Sequence, residues 1–350
     1  MKAGFRATEA QALCSEGSGL KPPKIEPLPC WVQHLSTSTP LHGAPRLITF
    51  LSLPSLFKRL SALWSHPAYH AKDRIKMAVG ALLWPGATRT WLEFVDATPF
   101  LRDAIGQLPK LITKIYRPYL NRDYSCAARV EVLKTHYQRV QDLGLSALTA
   151  RALVAPQTLY QGSTKSETPF DLRLSATQQG HREGEFCLSL IYQDHSLFEL
   201  NCTLALQGGK ACLLVGRLQG TSQPEAQQLV RQATSDLHAC RPANLMLHAA
   251  RNLAAIWQCE ALLLISNRQR IALNLWRRFH ITANYDKTWL EAGASLRADG
   301  WYTLEPLAEK EIDLAEIASK KRAEAKRRQA LLNGVYAGLL AHLNPTAQTP

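Results

Sequence analysis

This 350-residue chain has eight cysteines (14, 30, 126, 187, 202, 212, 240 and 259), and no two of them are spaced as C-x-x-C. A zinc ribbon, a thioredoxin-like redox pair and a disulfide framework therefore have no support. Cys187 and Cys212 lie within apolar runs and read as small buried hydrophobes in reduced form. No long hydrophobic run exists either. The uncharged apolar stretches are short: Leu47 to Phe57, for example, is 11 residues and contains Pro54, whereas a spanning helix needs about 20. The N-terminus has no continuous apolar segment of the secretory kind. Also missing are G-x-S-x-G, the Walker A loop, H-E-x-x-H and the dinucleotide fingerprint, so the common hydrolase, NTPase, zinc-protease and dehydrogenase signatures are absent.

Acidic residues are in short supply. Lys and Arg number 41 against 28 Asp and Glu, a formal charge of +13. The excess is not uniform. Residues 1–125 carry 16 basic and 8 acidic side chains, residues 126–316 carry 19 of each, and residues 317–350 carry 6 and 1. A charge-neutral body thus has cationic segments on either side. The C-terminal cations, Lys320, Lys321, Arg322, Lys326, Arg327 and Arg328, lie in a proline-free stretch from Asp313 to Leu343. Leu331, Leu332, Val335, Leu339 and Leu340 follow at helical spacing, which predicts a basic amphipathic helix. Such a helix suits an anionic membrane surface or an acidic partner protein. Its apolar stripe is equally suited to packing on the body.

Residues 1–45, rich in Pro, Ser, Thr and Gly, read as a disordered tail. Residues 46–160 read as a helical region, with helices over Pro54–Trp64, Ala68–Trp84, Gln107–Tyr119, Ala127–Leu143 and a shorter one or a connector over Leu145–Ala155. Trp64, Trp84 and Trp91 accompany Lys58, Arg59, Lys72, Arg74 and Lys76, a pairing compatible with a membrane interface and with ordinary core packing. The mixed body, residues 161–308, opens with strands over Phe170–Thr177, Glu185–Gln193, Ser196–Leu206 and Lys210–Leu218, an antiparallel meander. Helices over Gln223–Cys240 (Ser222 as N-cap, Pro224 at the start) and Ala243–Gln258 follow. A central strand over Glu260–Ser266, a helix over Arg268–Phe279 and a strand over Gly300–Leu304 complete it. Residues 309–350 form the basic helix. The fold class is therefore α+β, a helical N-terminal part followed by a mixed, mostly antiparallel sheet. Its order resembles the GCN5-related N-acetyltransferase fold, which implies a pyrophosphate cradle at Gln219-Gly220-Thr221-Ser222 after Arg217. The turn has one glycine where that fold has several.

Six segments from about Phe170 onward resemble the VirK/YbjX family of bacterial proteins. They are Gly216-Arg217-Leu218-Gln219-Gly220, Leu247-His248-Ala249-Ala250-Arg251-Asn252-Leu253-Ala254, Leu264-Ile265-Ser266-Asn267-Arg268, Asn284-Tyr285-Asp286-Lys287-Thr288-Trp289-Leu290-Glu291, Asp299-Gly300-Trp301-Tyr302 and Glu316-Ile317-Ala318-Ser319-Lys320-Lys321-Arg322-Ala323. Two departures are Gly293-Ala294, where the family has a glycine pair, and Ala318, where it has a proline. The second predicts an earlier start for the terminal helix. The resemblance implies a Gram-negative protein linked to virulence, envelope stress and tolerance of cationic antimicrobial peptides. It implies no settled biochemical activity.

Candidate site residues divide by chemistry. His248, Asp286 and Glu291 are the candidates for acid–base work. Arg217, Gly220, Arg251, Asn267, Arg268, Tyr285 and Trp289 are candidates for holding a ligand. His248, Arg251 and Asn252 fall on one helix face, where His248 could instead bridge two helices and Arg251 pair with an acid. Asn267 could cap the next helix, and Asp286 the turn containing Trp289. No residue set suggests a metal, and acyl-CoA is expected only if the chain is an acyltransferase. The leading expectation is a cytoplasmic protein, peripheral at the inner membrane through its basic segments. An acyltransferase of an envelope lipid or peptide is the alternative, and a nucleic-acid binder ranks last because no such module is present.

Overall fold

In the computed structural model, residues 71–105, 110–176, 182–221, 226–271, 284–309, 315 and 317–343 are described. The expected tail 1–45, the helix Pro54–Trp64, Cys14, Cys30, Ser222, Pro224 and the span 272–279 lie outside them. The described residues fall within one compact unit, Leu47–Pro350.

The N-terminal part is helical: α1 (Ala71–Leu83), α2 (Pro85–Ala97), α3 (Pro99–Ile105), a short α4 (Lys110–Thr113) continued by a 3-10 turn (Lys114–Tyr116), α5 (Cys126–Asp142) and α6 (Ser146–Val154). Pro85 and Pro99 stand at first helical positions, where a missing N–H costs nothing. Neither α2 nor α3 was expected. Their prolines punctuate a run whose aliphatic stripe is short. The single helix expected over Gln107–Tyr119 is, where described, the four-residue α4 and its 3-10 turn, because Arg117 turns extended. Ser125 caps α5 by accepting the Ala128 N–H.

The sheet has eight strands in the order β1-β2-β3-β4-β5-β6-β8-β7. They are β1 (Gln157–Ser163), β2 (Pro169–Ala176), β3 (Phe186–Tyr192), β4 (His195–Gln207), β5 (Lys210–Gly220), β6 (Ala261–Leu264), β7 (Ser295–Leu296) and β8 (Tyr302–Leu304). The meander has five strands where four were expected, because β1 has too few apolar residues to show its alternation. Gln193-Asp194 and Gly208-Gly209, all at positive φ, close the two tight hairpins. β6 pairs parallel with β5 from Cys212↔Ala261 to Val215↔Leu264 and antiparallel with β8. It is central, as its doubly apolar sequence indicated.

Between β5 and β6 come α7 (Ala226–Asp236) and α8 (Pro242–Ile256), and before β7 comes α9 (Tyr285–Glu291). The helix expected to begin at Arg268 does not: Asn267–Gln269 is a single 3-10 turn and Arg270 is extended. Gln219 and Gly220 belong to β5, paired with Glu199 and Phe198, so no turn forms there. The last helix, α10 (Ser319–Leu343), begins no earlier than Ser319 despite Ala318 in place of proline, since Ile317 and Ala318 are not helical.

Every residue from Leu200 to Ala205 is buried, so β4 is covered on both faces. α5 and α8 both pack on it, and α10 packs on α8 and β1. Ala325, Leu331, Val335, Leu339 and Leu343 are the buried side of α10. Its stripe therefore belongs to the core. Gly334 and Gly338 make that approach possible, because a Cβ at Gly338 would lie 2.4 Å from the Tyr160 ring.

Candidate functional site

α8 buries Leu245, Met246, Ala249, Ala250 and Leu253. Asn244, His248 and Arg251, at i, i+4 and i+7, form the neighbouring stripe. This stripe meets Arg328 and Leu332 of α10 across a cleft of about 320 Å³, which Cys240 also lines. Two arginines and no carboxylate line the cleft among the described residues. Two of the sequence-predicted sets, one on α8 and one on the basic helix, thus meet here.

Hydrogen bonding fixes part of this wall. Arg251 Nε donates to the Glu305 carbonyl at 2.8 Å, and Asn252 Nδ2 to the Leu307 carbonyl at 2.6 Å. The Leu307 N–H returns a bond to the Arg251 carbonyl at 3.1 Å. The segment after β8 is therefore strapped along α8. Among the described residues Arg251 is within ion-pair distance of no acid, although the Glu305 charge acts on it; a backbone carbonyl satisfies one of its donors. Burial, and then the Arg251 charge, push His248 down to about 4, against a bond with the Leu332 backbone. His248 is therefore neutral at pH 7 and bridges α8 to α10. Burial raises the Cys240 thiol to about 11 although Arg328 opposes it, so it is no nucleophile.

The polar groups beyond β6 do different work. Asn267 Nδ2 donates to Asn284 Oδ1 at 2.8 Å, and Asn267 Oδ1 accepts the Tyr285 N–H at 3.0 Å. Asp286 Oδ1 accepts the Asn267 N–H at 2.8 Å. The N-cap of α9 is Asn284, which accepts the Lys287 N–H, so Asp286 is not the cap; Asn267 caps nothing either, since it is the first residue of the 3-10 turn that follows Ser266. Trp289 is fully buried with its indole N–H on the Ile265 carbonyl at 2.9 Å. Tyr285 is buried, accepts the Leu218 N–H at 2.9 Å and lies under the Arg270 guanidinium, 3.7 Å from its ring centre. Arg217 pairs with Glu199 at 3.2 Å, Arg268 is exposed, and Glu291 makes a surface pair with Lys287 at 3.8 Å. Asp286 and Glu291 thus have separate partners: Asp286 anchors a turn, and Glu291 is at the surface.

One polar cluster escaped the sequence reading altogether. Glu185, 2% exposed, accepts from Lys114 Nζ and from the Tyr137 hydroxyl. Its own N–H reaches the Cys202 carbonyl at 2.9 Å and Thr203 Oγ1 at 3.1 Å, and Thr203 also meets the Tyr119 hydroxyl at 3.0 Å. Beside it, His136 Nδ1 accepts the Leu204 N–H at 3.1 Å. Burial and the Lys114 charge hold His136 at about 4, against the pull of Glu185. Burial alone would raise Glu185, but Lys114, then His136 and the hydrogen bonds outweigh it, leaving the carboxyl below its ordinary value. Two glycines admit the segment carrying Glu185. A Cβ at Gly216, the residue skipped by the β4–β5 register, would lie 2.2 Å from the Glu183 carbonyl, and one at Gly184 would lie 2.6 Å from the Cys202 nitrogen. The paired glycines and an isolated strand-entry glutamate were the available signal. The cluster joins the helical part to the sheet and is sealed from solvent.

No group of His, Cys, Asp and Glu able to hold a metal occurs among the described residues. The six described cysteines are free and buried. No helix among the described residues is long and apolar enough to cross a membrane.

A family model described as a protein of unknown function (DUF535) matches residues 67–340. The uncharacterized protein YbjX of Escherichia coli is 29% identical over 307 residues, covering 85% of this chain and 91% of that protein. An uncharacterized protein of Haemophilus influenzae is 34% identical over 165 residues, 47% of this chain and 55% of that one. Membrane protein LapB of Mannheimia haemolytica is 23% identical over 196 residues, 55% of this chain and 83% of that protein. No solved structure matches.

Proposed function

Since the chain belongs to the DUF535 family, the VirK/YbjX family that its motifs resemble, we propose that it is a peripheral protein that docks on anionic lipid. The observation that carries this reading is the outer face of α1. Ile75, Leu82 and Leu83 are 64%, 61% and 61% exposed, and Val79 and Trp84 are exposed beside them. Their spacing of i, i+4, i+7 and i+8 places the four aliphatic residues on one side of the helix. Arg74 and Lys76 are exposed between them. An apolar helix face with tryptophan and cations at its border is the composition of an interfacial helix.

The basic end of α10 supports it. Lys320, Lys321, Lys326 and Arg327 are exposed and make no ion pair among the described residues, and Arg322 bonds only a backbone carbonyl. Each cation near an anionic surface contributes about 1 kcal/mol. The name of the Mannheimia relative agrees with a membrane association, and an inner-leaflet position suits the virulence, envelope-stress and peptide-tolerance context implied by the resemblance.

Co-sedimentation with vesicles of phosphatidylglycerol and phosphatidylethanolamine tests the proposal. Binding should require the anionic lipid and fall about tenfold or more in Leu82→Glu/Leu83→Glu, since each buried leucine contributes about 2 kcal/mol. Equal binding by that variant, or none by the wild type, would count against it. Capture of an acidic protein with vesicles left unbound would transfer the surface to the other partner class.

A second reading, acyl transfer from acyl-CoA, draws on the parallel β5–β6 pair, which ends at Val215 and Ile265 while β5 continues to Gly220. One N–H of the proposed cradle, that of Thr221, is already engaged with the Leu197 carbonyl, and the Leu218 N–H just before the cradle is engaged with Tyr285. Thermal stabilisation by millimolar acyl-CoA would support this reading, and its absence would remove it.

A further inference from the structure

The cleft between α8 and α10 contains cationic groups that the fold does not use up. The backbone bond of Arg251 occupies Nε alone, leaving its two terminal amino groups without an acceptor among the described residues. Arg328 is half-buried and has neither a carboxylate nor a carbonyl partner there. The exposed Asn244 amide is equally unpartnered. Neutral His248 is fixed between the helices, and Leu247, Leu304 and Leu332 complete the wall. The exposed Glu305 is the acid that acts on Arg251, and its side chain does not line the cleft.

Partly buried guanidinium groups are costly to keep where the only nearby acid, Glu305 beside Arg251, is solvent-exposed and outside the cleft. Two of them facing one space match an anion of two charges, and the planar fork of arginine suits phosphate oxygens. A volume of about 320 Å³ is at the small end of ligand sites.

We propose that this cleft binds a phosphate monoester carried on a short apolar body, with Arg251, Arg328 and Asn244 on the phosphate and the three leucines on the remainder. The ligand is either a soluble phosphomonoester or the headgroup of a phosphatidate-type lipid. The site is separate from the outer face of α1, so either can fail without the other.

The test uses the full chain with phenyl phosphate, inorganic phosphate and monomeric dihexanoyl phosphatidate, read by calorimetry and thermal shift. Phenyl phosphate should bind more tightly than inorganic phosphate. Arg328→Gln should weaken it about tenfold or more, the loss of one charge-assisted contact. Arg151→Gln, at an exposed position of α6 that does not line the cleft, should leave it unchanged. Asn244→Asp puts a carboxylate in the cleft at a first-turn position where the helix tolerates it, and should weaken binding at least as much. Dihexanoyl phosphatidate binding more tightly than phenyl phosphate identifies the lipid source; equal or weaker binding identifies the soluble one. Failure of all three probes to bind, or binding that Arg328→Gln and Asn244→Asp leave intact, overturns the proposal. Leu82→Glu/Leu83→Glu should retain the phosphomonoester while losing vesicles, which separates this site from the docking face.

Discussion

Replacing Lys114 by Met removes the cation that allows Glu185 to be charged inside the protein. The Lys114 side chain is 11% exposed and that of Glu185 1%, so water cannot take over the role of the ammonium group. Breaking a buried pair on one side costs about 3–5 kcal/mol, which for a chain of this size lowers the melting temperature by roughly 10 °C. The loss should depend on pH. In the wild type the Glu185 carboxyl is held below its ordinary value, so its contribution is present at neutral pH and fades as pH falls through that depressed range. In Lys114→Met the unpaired carboxyl is raised instead, and the variant is penalised as pH rises through its new value. The difference between the two proteins should therefore be large at pH 7 and shrink as pH falls below the ordinary carboxylate value. Adding Glu185→Gln to Lys114→Met leaves a neutral acceptor for Tyr137 and should recover about half or more of the loss. Urea unfolding of the wild type, both single variants and the double variant measures this. A Lys114→Met protein within about 1 kcal/mol of the wild type at pH 7, or a deficit independent of pH, would refute the reasoning.

His136 is buried and held at about 4 with Lys114 and Glu185 facing it; since the unfolded chain takes up the proton first, stability should fall by about 2 kcal/mol from pH 7 to 5, and His136→Gln should flatten that slope in urea titrations. His248 is lowered in the same direction, with Arg251 beside it, so the double variant His136→Gln/His248→Gln should be flatter still. Gly338→Val forces side-chain atoms into the Tyr160 ring and should cost about 1–3 kcal/mol, loosening α10 first in hydrogen exchange. Gly216→Ala places a methyl group against the Glu183 carbonyl and should destabilise by a comparable amount in thermal melts.

The strands β2 to β6 and helices α5, α8 and α10 were legible because each carries its own period. β2 alternates buried and half-exposed positions, β6 is apolar on both faces, and α10 repeats its leucines at helical intervals. The candidate site was legible in part. His248 and Arg251 share a helix face by spacing alone. That Arg328 would join them required α10 to fold back on α8, and nothing in a basic run says which of six cations points inward. Asn267 shows the reverse failure: it is a good capping residue, but it lies inside a 3-10 turn that follows Ser266, and its side chain is spent on Asn284 and the Tyr285 N–H, 17 and 18 residues away.

The amino-acid order by itself determined the neutral body, the cationic terminal helix, the reduced cysteine chemistry and the central apolar strand, because these depend on residue type and local period. Tertiary structure decided where unlike charges could be buried. Glu185 and Lys114 are 71 residues apart, and only Gly184 and Gly216, by giving up their side chains, let two backbones close enough to bring that pair together. Pairings across the sheet depend on shape and on the cost of leaving a charge dry, and neither quantity exists until the chain is folded.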